Sequence, residues 1–215
     1  MSGFQLYNAN GALTIDSESK SIITSTVKDM GDLTDTGFYL IESVFGNGST
    51  LGFLKPNFYP ADGIRWFQLW SDGRYCFPGA SLFEAGTGRF MLSTNNGGIA
   101  LGYMDVFDAS GNMVWSAVSA SSMPRIIDFF TVPAGYDLSS PLTLNTSFAN
   151  PWICISQCPG NVSDDGEVTG YSGLLIRRNS ATNFTLQYVS KYQRNYTNAM
   201  GGNGIRIALA AFTGY

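Results

Sequence analysis

Hydrophobic residues recur at every second position in short runs along most of the chain: Phe4 and Leu6, Leu13 and Ile15, Phe38 and Leu40, Phe90 and Leu92, Leu174 and Ile176, then Phe184, Leu186 and Tyr188, and last Ile205, Ile207 and Leu209. Successive side chains of a strand point to opposite faces, so a period of two marks strands with one face toward a core. The runs are rich in aromatic and β-branched residues, and Gly, Asn and Pro break them at the spacing of a sandwich. Helical periodicity is almost absent. A short helix fits at best at residues 17–25 or 81–85, neither with a convincing cap and period. The expected fold class is all-β with little helix.

Three turns carry a mechanism. "NANG" at residues 8–11 and "DASG" at 108–111 place Gly11 and Gly111 where a type I turn needs a following residue with positive φ, which closes a short hairpin through a bulge. "SDG" at 71–73 gives Gly73 the same role between Trp70 and Arg74. Longer Gly/Asn loops fall at 46–50, 93–98 and 198–204.

The first two turns belong to a repeat. "FQLYNANGALTID" (4–16) and "MDVFDASGNMVWS" (104–116) share one pattern of hydrophobic, polar, turn and glycine positions. Further features follow in the same order: "GFYLIESVFGNGS" against "NPWICISQCPGNVS", "RWFQLWSDGRY" against "NFTLQYVSKYQ", and "GTGRFMLST" against "GNGIRIALAAF". The chain therefore reads as two tandem related β-sandwich units, residues 1–98 and 99–215, packed together or merged into one continuous sandwich. No charged or Pro-rich linker separates them.

Composition adds a surface. Charged residues are only 13% of the 215, against roughly 25% in an ordinary soluble domain. A surface built from Gly, Ser, Thr and Asn suits a secreted protein or a subunit covered by its neighbours. The net charge of −4 argues against binding nucleic acid, which calls for a basic face. No apolar run approaches a membrane span, and the amino terminus lacks a signal-peptide pattern, so neither membrane insertion nor export is expected. The five Asn-x-Ser/Thr triplets then read as by-products of Asn- and Thr-rich loops.

Candidate chemistry is sparse. The chain has no histidine, which removes the commonest general base and metal ligand. Cys76, Cys154 and Cys158 lack the partners of a zinc site, and Cys154 and Cys158 would stand about 13 Å apart along an extended strand, so buried unpaired thiols are expected. The sixteen carboxylates mostly neighbour Gly, Ser or Thr, as turn caps do, which leaves a two-carboxylate glycosidase as a remote reading. The acidic "SDDGE" at 163–167 lacks calcium-loop spacing and reads as a solvated loop tip. No catalytic residue, metal or cofactor is expected. Trp66, Trp70 and Tyr75, near a hairpin tip with Arg65 and Arg74, are the candidate ligand contacts, because flat aromatic faces with polar neighbours suit a sugar.

The two hairpins, "FQLYNANGALTIDS" and "GYMDVFDASGNMVWS", resemble a motif of small β-rich structural proteins encoded among the tail genes of tailed bacteriophages. The second copy has Trp115-Ser116-Ala117 where the first has Ile15-Asp16-Ser17, so no role for Asp16 carries over. The resemblance implies a virion component of the tail tip, baseplate or fibre, made in the bacterial cytoplasm. Its partners would be other virion proteins and copies of itself. A host-glycan-binding module of the particle is the first alternative, and a capsid decoration protein the second.

Overall fold

The computed structural model describes residues 4–9, 11, 13–35, 39–45, 49–57, 65–69, 74–78, 87–156, 158, 160–164 and 169–215. In the first half the strands are β1 (Gln5–Tyr7), β2 (Leu13–Asp16), β3 (Ile23–Asp29), β4 (Thr34–Asp35), β5 (Tyr39–Phe45), β6 (Thr50–Pro56), β7 (Arg65–Leu69), β8 (Arg74–Pro78) and β9 (Gly88–Thr94). The second half adds β10 (Asp105–Phe107), β11 (Met113–Ser116), β12 (Arg125–Val132), β13 (Leu142–Asn145), β14 (Trp152–Cys154), β15 (Gly160–Asp164), β16 (Thr169–Arg178), β17 (Asn183–Lys191) and β18 (Ile205–Ala211). The fold is all-β.

Two large antiparallel sheets face one another. One has the order β12-β18-β14-β6-β9-β3, the other β13-β17-β16-β7-β8-β5-β4, with β15 paired to β16 beside it. Rings from the two sheets meet between them: Phe90 of β9 lies 5.3 Å from Tyr75 and 5.8 Å from Phe77 of β8, and Phe130 of β12 lies 5.2 Å from Phe184 of β17. Leu54, Ile153, Leu174, Ile176, Leu186 and Ile207 belong to the same core. These are the alternate residues of their strands, so the period of two in the sequence is the inward face of each sheet.

Both sheets run across the two halves of the chain. At the centre of the first, β6 pairs with β14 through Leu54↔Ile153 and Phe53↔Cys154; in the second, β7 pairs with β16 through Phe67↔Leu174 and Trp66↔Leu175. Outward from the first junction each half contributes its strands in one order: β6, β9, β3 on one side and β14, β18, β12 on the other. From the second junction the order is β7, β8, β5 against β16, β17, β13. An antiparallel pair at each centre is what a two-fold axis normal to the sheets requires.

This correspondence corrects the sequence alignment in its middle. The strand holding Trp152 matches β6, not β5, and β7 matches β16, not β17. Short apolar runs of similar length are interchangeable by pattern alone, and the added strand β15 between β14 and β16 has no counterpart among the described residues between β6 and β7. The opening hairpin and the closing strand keep their matches.

Two local expectations also change. Residues 17–25 form a turn and the start of β3, while 81–85 lie outside the described residues. The one α-helix among the described residues is α1 (Tyr196–Met200), which runs into the stretch read as a Gly/Asn loop at 198–204. The Asn195 side chain caps it by accepting from Asn198 N at 2.8 Å, and Gly201 ends it in the left-handed region. Cys154 and Cys158 do not share an extended strand. A turn bonded Cys158 N to Ile155 O at 3.1 Å follows β14, leaving Cys158 in the inter-sheet core and Cys154 on the outer face. All three thiols are free and buried, and desolvation pushes those of Cys154 and Cys158 above the usual thiol range.

Candidate functional site

The repeated hairpins form a small module apart from the two large sheets. In each, the glycine follows the turn with positive φ, 76° at Gly11 and 82° at Gly111. Gly11 N donates to Asn8 O at 2.9 Å and Gly111 N to Asp108 O at 3.0 Å. A register shift falls between Leu6 and Tyr7 in the first and between Val106 and Phe107 in the second. One further bond recurs one hundred residues apart: Ser17 N to Phe4 O at 3.0 Å, and Ala117 N to Met104 O at 2.9 Å. The glycine signal in the sequence thus specifies the observed bulged turn.

The second turn is braced further. Asp108 accepts from the Asn112 side-chain amide at 2.9 Å and from the backbone N–H groups of Asn112 and Ser110, each at 2.8 Å. These bonds, the Asn112 amide first, hold its carboxyl below the usual range. Asp137 behaves likewise, its carboxyl lowered first by Ser139 N, and Asp16 accepts from Glu18 N at 3.0 Å. These acids cap turns.

The hairpins pack on each other. Ile15 of the first is buried with Val106 and Val114 of the second, Trp115 lies against them, and Ser21 N donates to Val114 O at 2.9 Å. A groove of about 400 Å³, lined by Ile15, Trp115, Leu51, Met123 and Ile126, runs where the module meets the first sheet. Apolar side chains at matching places of the two hairpins remain exposed. Phe4 and its counterpart Met104 are 42% and 49% exposed; Tyr7 and its counterpart Phe107 are 54% and 46% exposed. Leu6, Leu13, Leu101 and Tyr103 are exposed as well. Apolar side chains scattered singly need no explanation, but several gathered on one small module make it a candidate interaction surface. The signal in the sequence is that Phe4 and Leu6 alternate normally while Tyr7 adds an apolar side chain on the opposite face.

The aromatic ligand contacts fare differently. Tyr75 is a core residue at 1% exposure: its ring packs on Phe90 and its hydroxyl lies 2.6 Å from Ser156 Oγ, so no ring face is offered to a sugar. Burial, the larger effect, raises its phenol above the usual range against the lowering by Ser156. Trp66 sits in β7 with its backbone paired to Leu175. The Trp66 side chain, Trp70 and Gly73 lie outside the described residues. Among the described residues no group of three His, Cys, Asp or Glu is placed to hold a metal ion, and no helix is long and apolar enough to cross a membrane.

Fold and site together define an all-β chain whose duplicated halves share two sheets and display a paired, apolar hairpin module. It belongs to the family described as Domain of unknown function (DUF8377), whose profile matches residues 1–214 and so spans both halves as one unit. Comparisons with curated proteins and with solved structures give no match.

Proposed function

We propose that the protein is a non-enzymatic structural subunit that builds a symmetric assembly by joining hairpin modules of separate copies. The observation that carries this reading is the exposure of apolar side chains at the repeated positions Phe4/Met104 and Tyr7/Phe107. The occupant is a second copy of the chain, because the molecule already contains the contact in miniature: one hairpin buries Ile15 against Val106 and Val114 of the other. A unit that packs on its own duplicate, and keeps apolar side chains exposed at matching positions, is suited to a self-complementary contact between subunits. The low charge fits such burial, since interface cores are depleted of charged residues.

The resemblance of the two hairpins to tail proteins of bacteriophages supports a virion as the assembly, at the tail tip, baseplate or fibre. Two experiments test the reading at its two levels. Sedimentation of the purified chain gives a discrete homo-oligomer, and a monomer at high concentration overturns self-assembly. Mass spectrometry and electron microscopy of purified particles find the protein in the tail; absence from the particle overturns the virion, and a capsid position reassigns it to decoration.

A further inference from the structure

The outer face of the first sheet carries a second feature. One cross-strand row runs Asp29, Arg89, Lys55 from the edge inward, through the pairs Asp29↔Arg89 and Lys55↔Arg89. Trp152 of the neighbouring strand β14 comes next: Lys55 Nζ lies 5.5 Å and Arg89 Cζ 5.9 Å from its ring centroid. Arg178 approaches from β16, donating to Pro56 O at 3.1 Å, to Ser180 O at 3.2 Å and to Asn150 Oδ1. Three of the twelve cations of an acidic chain thus converge on one spot.

Among the described residues their charges are poorly compensated. Asp29 stands 4.0 Å from Arg89 Nε and is 74% exposed, so its attraction is largely screened. Burial first, then the repulsion of Arg89 and Arg178, lowers the Lys55 pKa. Trp152 is almost fully buried, yet its indole N–H has no acceptor among the described residues. A buried donor without a partner costs about 1–3 kcal/mol. Clustered like charges beside a donor with no acceptor among the described residues oppose folding, and such local conflicts concentrate at functional sites.

We propose that Lys55 and Arg89, seated on the Trp152 indole, bind an oxyanion, the carboxylate or phosphate group of a ligand. An anion there neutralises the cations through charge-assisted hydrogen bonds. Arg178, whose guanidinium is occupied by Pro56, Ser180 and Asn150, contributes field and not direct contact.

Thermal unfolding of the whole chain tests the site with three salts at matched ionic strength: potassium chloride, potassium phosphate and potassium glucuronate. Phosphate or glucuronate is expected to raise Tm saturably above chloride, and the effective one names the group. Lys55→Gln with Arg89→Gln weakens that response at least about tenfold, the loss expected for charge-assisted bonds, while Tm in chloride stays equal or rises because repulsion is relieved. No anion-specific rise in the parent overturns the proposal. So does an undiminished response in the double variant.

Discussion

The Tyr75 hydroxyl lies 2.6 Å from Ser156 Oγ, and the same Ser156 oxygen accepts from Gly52 N at 2.7 Å. One serine of the second half thus ties the second sheet, through Tyr75, to the first, through Gly52. The Tyr75 ring occupies the place of a side chain at residue 52, where a Cβ would stand 2.5 Å from Tyr75 Cε1. Gly52→Ala is therefore expected to cost about 1–3 kcal/mol by overpacking, and Tyr75→Phe about 1 kcal/mol for the lost hydrogen bond. Urea denaturation of the two variants checks both. A neutral Gly52→Ala contradicts the close approach.

Lys28 Nζ lies 3.0 Å from Glu42 Oε2, and Glu42 is fully buried at the inward side of β5. Lys28 faces Phe90 across β3 and β9, so this charge pair closes one end of the core. Lys28→Ala removes the counter-charge of a buried carboxylate and is expected to cost about 3 kcal/mol. Lys28→Met combined with Glu42→Leu restores most of that loss, because a buried ion pair is replaceable by apolar packing. Denaturant midpoints of the single and double variants separate the outcomes.

Burial holds Tyr75, Tyr171, Tyr196, Cys154 and Cys158 protonated beyond their usual range. Unfolded, these groups titrate near about 8.5 for Cys and about 10 for Tyr. With folded values raised, their stabilisation is complete below about pH 8.5 and is lost as pH climbs through and beyond these values, since the unfolded chain then releases protons that the folded chain retains. Denaturant midpoints are expected to be flat from pH 7 to 8 and to fall steeply toward pH 11. Cys158→Ala flattens the onset of the fall.

Tyr7→Ser with Phe107→Ser removes apolar contacts at equivalent places of the two hairpins. Both positions are exposed, so the stability of the subunit changes by less than about 0.5 kcal/mol per substitution. The assembly moves to the monomer in analytical ultracentrifugation. A full loss of folding would instead make these side chains part of the core.

Legibility in the sequence followed the range of the interactions. Gly11 and Gly111 were readable because a bulged turn is decided within four residues, and Ile205, Ile207 and Leu209 because a single strand displays its own periodicity. The cap at Asn195 and Gly201 was equally local, but five residues are too few for a helical period to show. Tyr75 was not readable: the pattern that marks a wet aromatic on a hairpin also marks a core ring, and only Gly52 and Ser156, 23 residues before and 81 after, decide between them. The meeting of Lys28 with Glu42, and of Lys55 with Arg89 and Trp152, depends on pairings between strands that lie far apart in sequence. The repeat aligns Tyr7 with Phe107, but that both stay exposed depends on how the two hairpins pack, which the pattern does not carry.

The central pairing of β6 with β14 bears on how such a chain is made. Joined through Leu54↔Ile153, neither half owns a complete sheet, and each finishes the other as two identical chains finish a homodimer. The segment near residues 97–101 then acts as a tether that fixes stoichiometry at one to one. Once tethered, the two copies are free to diverge, one keeping Lys28 where the other carries Phe130 as its edge strand's inward residue opposite β9 or β18. A symmetric dimer presents two identical surfaces; joined end to end, the same architecture presents two different ones.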